Sequence, residues 1–304
     1  MTYEIPQFSR LVNSADPVSV ISEVKTLMDS IWPDFDNAVI DKVGRDVIDL
    51  FQGRYLGYLA CNTEYHNLAH TTDALLAMIR LIHGASVAGE SISSRNALLA
   101  CIATLLHDSG YIQHSDEVDG TGARFTLTHI TRSIQFMETY FRQNGFSTCE
   151  FENCRVMLEC TGLGTKIADV NFANAEIGML GRMLGTADLL GQMADRAYLE
   201  KLLFLYYEFS EGSVAGYESE LQLLKKTLEF YDVTKVRFAQ ELSGVNRFLR
   251  FHFEARHQID ADLYDDAMKK NRLYLADILE NHEHEYREYL RRDGIVAKLK
   301  TKEN

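Results

Sequence analysis

The sequence predicts an all-α protein, with a single helical domain spanning residues 1–304. Apolar residues recur three or four positions apart, as in the stripe formed by Leu98, Ile102 and Leu105, and this spacing is typical of amphipathic helices. All three prolines lie within the first 33 residues, so no proline ring interrupts a helix after that point. No segment shows the alternation of a β-strand.

Start and stop signals divide the chain into eleven predicted helices. Asp16 before Pro17, and Asp34 further on, are typical N-terminal signals. The expected helix stops are four glycines: Gly84, Gly110, Gly145 and Gly191. The predicted helices cover residues 17–30, 36–52, 64–83, 93–108, 126–143, 149–160, 172–190, 195–209, 217–230, 233–253 and 260–292.

The last predicted helix, over residues 260–292, is long and charged. It carries one apolar stripe, formed by Leu263, Met268, Leu275, Ile278 and Leu279. The stripe predicts packing on the body of the protein in preference to a second subunit, although a homodimer is compatible with it.

The charge balance narrows the classes of partner. Lys and Arg number 31 against 44 Asp and Glu, a net charge of −13. Binding of a nucleic-acid polymer or an anionic membrane needs clustered cations, so neither is expected. A small phosphorylated substrate stays possible if a metal ion or a few convergent basic side chains supply local positive charge.

Cysteine usage and the N-terminus predict a cytoplasmic protein. The five cysteines are odd in number and include no CxxC pair, which favours reduced thiols over a disulfide framework. The opening MTYEIPQFSR lacks the basic and apolar regions of a signal peptide. No apolar run approaches the length of a membrane span.

Two connections are irregular. Residues 109–126 are rich in Gly, Ser and Asp, and loops of this length are often lids or binding loops. Residues 161–171 contain Gly162-x-Gly164, a fragment of a phosphate-loop pattern. No strand precedes it and the third glycine is missing, so we interpret it as a helix stop and turn.

Histidines and aspartates in apolar surroundings predict a metal site. They occur in Tyr65-His66-Asn67-Leu68-Ala69-His70, in Leu105-Leu106-His107-Asp108, at His129 and in Thr186-Ala187-Asp188-Leu189-Leu190. His66 and His70 are four residues apart and would share one face of a helix. A carboxylate in an apolar helix is costly unless it is paired or binds a cation. Imidazole and carboxylate ligands suit zinc, manganese, iron or nickel, and an open coordination position would make such a site hydrolytic.

In this order, His70, His107-Asp108 and Asp188 resemble the His…His-Asp…Asp signature of the HD superfamily of metal-dependent phosphohydrolases. The prefix Tyr65-His66-Asn67 resembles the YHNxxH motif of class I cyclic-nucleotide phosphodiesterases, and Ala187-Asp188 resembles their later Ala-Asp ligand. The resemblance implies a phosphodiesterase-like helical bundle with an HD catalytic core over about residues 60–212.

The resemblance also implies roles for individual residues. His70, His107, Asp108 and Asp188 would bind a first metal ion. Asp108 would reach a second ion, with His129 and Thr161 near it or its waters. A bridging water would be the nucleophile and His66 the general acid. The implied cofactor is one or two divalent ions, with manganese, magnesium, zinc and iron not distinguished.

Two departures shift the expected substrate away from cyclic nucleotides. Ser109-Gly110-Tyr111 stands where the phosphodiesterases have a nearby Asp-His, and residues 206–212 lack the glutamine that contacts the purine. The expected function is therefore hydrolysis of a small phosphate mono- or diester, of a nucleotide or another molecule. A catalytically inactive HD-type binding or signalling module, and a di-iron HD-type oxygenase with Glu159 and Asp169 as further ligands, are the alternatives.

Several side chains have an ordinary alternative to a role in the site. His66 could orient a ligand instead of acting as an acid, and Asp73 could hydrogen-bond His70 or face solvent. Lys166, Arg124 and Arg182 are candidate phosphate contacts, but an ordinary surface charge is the favoured interpretation of each. The histidines predicted to lie at the surface are His252, His257, His282 and His284.

Overall fold

The computed structural model describes residues 11–302, and within them there is no β-strand, which confirms the all-α prediction. The helices are α1 (Pro17–Ile31), α2 (Ala38–Phe51), α3 (Leu68–Val87), α4 (Ser94–Leu106), α5 (His129–Gln143), α6 (Thr148–Glu159), α7 (Ala175–Met193), α8 (Tyr198–Glu211), α9 (Glu220–Gln240), α10 (Phe248–His257), α11 (Leu263–Asn281), α12 (Tyr286–Tyr289) and α13 (Ile295–Lys302). Residues 1–10, where the sequence predicts no signal peptide, lie outside the described range. None of the helices between residues 11 and 302 is both long and apolar enough to cross a membrane.

Helix α3 forms the centre of the fold. All but one of its residues from His70 to Ala85 are buried, as expected for a helix that is surrounded on every side. Helices α1, α4, α7 and α10 pack around it. The contact between α3 and α7 places the segments that carry His70 and Asp188 side by side.

Two glycines predicted to end helices lie inside helices instead. Gly84 is within α3, where a Cβ atom would lie 1.9 Å from the carbonyl oxygen of Phe248 in α10. Gly191 is within α7, where a Cβ would lie 2.8 Å from the backbone nitrogen of Ala74 in α3. The prediction was wrong because these glycines allow two helix backbones to approach closely, and the helices continue past them.

The predicted break between residues 230 and 233 is also wrong. Helix α9 continues to Gln240, and the chain turns only at Ser243 and Gly244, whose φ angles are 55° and 62°. These left-handed conformations prevent the helix from continuing and form the turn between α9 and α10.

Helix α11 is shorter than predicted and packs on the body. It ends at Asn281, and its predicted apolar stripe is buried at Leu263, Leu275 and Ile278. The chain then folds back, since the Tyr274 hydroxyl donates a hydrogen bond to the Tyr289 carbonyl at 2.6 Å. The packing prediction is confirmed, while the single helix over residues 260–292 is not.

A buried pair of imidazoles joins α3 to α10. His252, predicted to be at the surface, is fully buried, and its Nδ1 lies 3.2 Å from Nδ1 of His83. The prediction was wrong because α10 packs tightly against Gly84 of α3. Burial, together with the positive charge of Arg80 and the neighbouring His83, lowers the pKa of His252 from its usual 6.5 to about 2.

This histidine should make the protein sensitive to acid. Because its pKa is lower in the folded than in the unfolded chain, its stabilising contribution is complete above about pH 6.5 and is lost as pH falls. Between about pH 7 and about pH 4.5, the free energy of unfolding of the wild type should fall by about 2 kcal/mol more than that of His252→Gln. Urea unfolding at both pH values measures this, with exposed His284→Gln as the control. Equal losses in all three proteins would contradict the prediction.

Candidate metal centre

Four side chains from three parts of the chain converge on one point. His70 lies in the first turn of α3, His107 and Asp108 directly follow α4, and Asp188 lies in α7. Asn67 fixes the start of α3 because its side chain accepts a hydrogen bond from the His70 backbone N–H at 3.2 Å. All four side chains are at most 14% exposed.

Five distances between possible ligand atoms describe this cluster. His70 Nε2 lies 3.1 Å from Asp108 Oδ2 and 3.1 Å from Asp188 Oδ1. His107 Nε2 lies 3.2 Å and 3.5 Å from the same two oxygens, and 3.2 Å from His70 Nε2. Neighbouring ligand atoms around an ion with bonds of about 2.1 Å are separated by about 3.0 to 3.4 Å. His70, His107 and Asp108 thus form a group of possible metal ligands whose ligand atoms all lie within 4.8 Å of one another, and Asp188 Oδ1 adjoins both imidazoles of that group.

Two further observations fit a cation. The buried Oδ2 of Asp108 forms no well-directed hydrogen bond within the described part of the chain, which is unusual for a buried carboxylate oxygen, although Nε2 of both His70 and His107 lies within 3.2 Å of it. His107 Nδ1 lies 2.7 Å from the Thr104 carbonyl, so Nδ1 carries a proton and Nε2 is the ring nitrogen that faces the cluster. A hydrogen bond of this kind typically fixes a metal-binding histidine.

The pKa shifts in the cluster indicate that positive charge stabilises its two carboxylates. Burial opposes ionisation of Asp108, but the charge of His107 and the close Nε2 atoms of His107 and His70 hold its pKa well below the usual range. Burial would lower the pKa of His70, yet hydrogen bonds and charge from Asp108 and Asp188 raise it to about 9. Without a metal ion, imidazole protons thus balance the two carboxylates. A divalent cation that replaced them would release protons on binding.

The sequence predicts that His66 and His70 lie on one helix. The structure places His66 before that helix, because α3 begins only at Leu68. It is nevertheless close to the cluster, with its ring centroid 5.9 Å from that of His70. His66 Nδ1 lies 2.7 Å from Glu208 Oε2, and Glu208 Oε1 accepts the Tyr65 backbone N–H at 2.6 Å. Glu208 thereby fixes the orientation of the His66 ring and leaves Nε2 for another partner.

Sequence analysis missed Glu208, which lies in α8 and is 5% exposed. The signal was the one that pointed to Asp188, namely a carboxylate between apolar residues of a helix.

His129 lies beside the cluster at the start of α5. Its Nε2 is 4.0 Å from Asp108 Oδ1, while its Nδ1 lies 2.6 Å from the Thr126 carbonyl. Burial lowers the pKa of His129, outweighing the opposite effect of Asp108, so the ring is neutral with Nε2 able to accept. His129 and Asp108 are therefore the residues that would hold a second ion if one binds beside the cluster.

Tyr111 connects the two histidines that flank the cluster. Its ring stacks on His66 at a centroid distance of 4.3 Å and on His129 at 4.7 Å. Tyr111 belongs to the connection over residues 109–126, which is fastened to the body: Arg132 donates to the Gly110 carbonyl at 2.8 Å and to Glu117 at 2.8 Å. The connection therefore supplies a fixed aromatic surface beside the cluster.

Apart from His129, the residues predicted near a second metal either have other partners or are exposed. The Thr161 hydroxyl donates to the Leu158 carbonyl at 2.9 Å. Glu159 forms an ion pair with Arg155, and Asp169 is exposed. Asp73 is half-buried beside His70 in a small cavity, and burial, with the charge of Asp195, raises its pKa to about 7.

The basic candidates for phosphate contacts are engaged elsewhere or exposed. Arg124 donates to the Asp119 carbonyl at 2.7 Å, and Arg182 to the Gly178 carbonyl at 2.8 Å. Lys166 is exposed. A cation held by the histidine–aspartate cluster would be a better source of positive charge toward a phosphate than these side chains.

The fold and the cluster define an all-α protein with a buried histidine–aspartate constellation. The chain belongs to the Npun_R2479-like family, whose model matches residues 115–272, somewhat more than half of the 304 residues. The matched range includes His129 and Asp188, whereas His107-Asp108 precedes it. No curated protein and no solved structure matches the chain.

Proposed function

We propose that the protein is a metal-dependent phosphohydrolase of the HD type that hydrolyses a small phosphate mono- or diester, of a nucleotide or another molecule. One or two divalent ions, of manganese, magnesium, zinc or iron, are the proposed cofactor. The carrying observation is the group formed by His70, His107 and Asp108, whose ligand atoms all lie within 4.8 Å of one another, with Asp188 Oδ1 beside both imidazoles. The lack of a well-directed hydrogen bond to Asp108 Oδ2 supports it.

The residues of the chain would divide the work of ester hydrolysis. A bound divalent ion would acidify a water ligand and polarise the phosphoryl oxygen. The carboxylates of Asp108 and Asp188 would bind the ion in the cluster. His129 would be a ligand of a second ion beside it. His66, oriented by Glu208, would donate a proton from Nε2 to the leaving oxygen. Stacking on Tyr111 keeps the His66 ring in the plane that Glu208 sets.

The charge of the protein is consistent with this proposal. At a net charge of −13, an anionic ester would be repelled from most of the surface. Attraction would be confined to the metal cluster, which favours a small substrate over a nucleic-acid polymer. We also propose a cytoplasmic location, because all five cysteines are unpaired and three of them are buried.

Replacement of His66 by Gln tests the proton-donor role. With Mn²⁺, the variant should hydrolyse phenyl phosphate more slowly by about 10² to 10⁴-fold, because phenolate needs protonation as it leaves. Hydrolysis of p-nitrophenyl phosphate should fall far less, since nitrophenolate leaves without a proton. Steady-state rates on both esters, together with metal content by elemental analysis, measure these effects.

The controls separate the proposal from its alternatives. His284→Gln replaces an exposed histidine and should leave both rates unchanged. An equal loss on both esters would contradict the acid role of His66. A wild-type protein that binds metal but hydrolyses no mono- or diester would instead be a binding module, and oxygen consumption by the iron-loaded protein would identify an oxygenase.

A further inference from the structure

A chain of two hydrogen bonds leads from a buried phenol to a ligand of the candidate metal centre. The Tyr65 hydroxyl lies 2.9 Å from Gln192 Oε1. Gln192 Nε2 donates to Asp188 Oδ1 at 2.8 Å, and this oxygen is the one that faces both His70 and His107. Gln192 lies one turn after Asp188 on α7, so the helix itself holds the amide above the carboxylate.

The chemistry of the two partners fixes which end of the Gln192 amide faces the metal ligand. An ionised carboxylate only accepts hydrogen bonds, so Asp188 requires the NH₂ end. The carbonyl end then faces Tyr65, whose hydroxyl must donate. Burial raises the pKa of Tyr65 well above its usual value, so this donor keeps its proton. Tyr65 therefore prevents the amide from turning its oxygen toward Asp188.

We propose that Gln192 is a positioning residue that holds Asp188 Oδ1 in its ligand geometry, and that Tyr65 acts on the metal centre only through Gln192. The inference rests on the proposed metal site. It assigns the amide no contact with a substrate. A ligating carboxylate that is not hydrogen-bonded can rotate and lose its orientation, and partners of this kind typically change metal affinity by about 10 to 100-fold.

The surroundings of Gln192 support an internal role. The cavity that Gln192 lines together with Tyr65, His70 and Asp73 has a volume of about 10 Å³. Such a space holds at most about one water molecule, so no substrate group can reach Gln192 from that side. Tyr65 is 4% exposed, so its hydroxyl is largely shielded from water. The hydroxyl donates its hydrogen bond to the amide oxygen of Gln192.

The test measures the Kd for Mn²⁺ by competition with a fluorescent chelator, which is independent of hydrolysis. Gln192→Leu removes the amide at similar size and should raise Kd by about 10 to 100-fold. Tyr65→Phe keeps the ring that packs edge-on against His66 at 4.9 Å and should raise Kd by less. The double variant should match Gln192→Leu alone, because residues that act through one another are not additive.

Asn281→Leu is the matched control. Asn281 Nδ2 donates to Asp277 Oδ1 at 2.8 Å, again one turn apart on a helix, but on the exposed end of α11. This variant should leave Kd unchanged, and thermal unfolding of all metal-free variants shows whether each remains folded.

An unchanged Kd in Gln192→Leu, or additive effects with Tyr65→Phe, would overturn the inference. A wild type that binds no Mn²⁺ would overturn both the inference and the proposed function, whereas intact Mn²⁺ binding without ester hydrolysis would overturn the proposed function alone.

Discussion

Replacing Asp108 by Asn should abolish tight binding of a divalent cation. Asp108 Oδ2 lies within 3.2 Å of Nε2 of both His70 and His107, and the neutral amide cannot balance the charge of an ion there. Loss of a direct metal ligand should raise the Kd more than loss of a residue that only hydrogen-bonds a ligand. We therefore expect the Kd for Mn²⁺ to rise by more than about 100-fold. Hydrolysis of phosphate esters should be lost with the metal. Elemental analysis of the purified protein and Mn²⁺ titration measure this.

The same substitution should remove stabilisation by metal. At a free Mn²⁺ concentration of about 100 times Kd, a ligand that binds only the folded chain adds about 2.7 kcal/mol to the free energy of unfolding. The wild type should show this gain in urea unfolding with and without Mn²⁺, and Asp108→Asn should not. Asp116→Asn, at an exposed position in the connection that follows the cluster, should behave as wild type. Equal metal content in wild type and Asp108→Asn would refute the four-ligand site.

The second large effect is expected for Gly110→Ala. A Cβ atom at this position would lie 2.0 Å from the His129 carbonyl oxygen and 2.8 Å from the Ser133 backbone nitrogen. Because both contacts are to the backbone, α5 has to shift, and we expect the free energy of unfolding to fall by about 3 kcal/mol or more. The shift would also move His129 away from Asp108. Urea unfolding measures the first effect and Mn²⁺ stoichiometry the second.

Gly164→Ala provides the matched control, since a Cβ there meets no heavy atom within 4 Å. Its stability should change little. A Gly110→Ala protein as stable as Gly164→Ala would mean that α5 does not lie against Gly110 as closely as the structure shows. In that event the position of His129 beside Asp108 would also need revision.

Residue types and their spacing along the chain predicted a good part of the candidate site. His70, His107-Asp108 and Asp188 were chosen because polar, metal-binding groups in apolar helices need a partner, and the structure brings these four together. Their metal binding stays a prediction. The helical placement of His66 was wrong, because spacing alone cannot show that Asn67 caps α3 and leaves His66 outside it.

Local periodicity and composition were enough to predict that the chain is all-α, roughly where its helices lie, and which side chains are chemically able to bind a metal. Three features became visible only in the folded chain: the contact of Glu208 with His66, the link from Tyr65 through Gln192 to Asp188, and the helix crossing at Gly84, where a helix end was predicted. Contacts such as that of Glu208 with His66 join residues more than a hundred positions apart, and they depend on how whole helices pack, which no local pattern encodes.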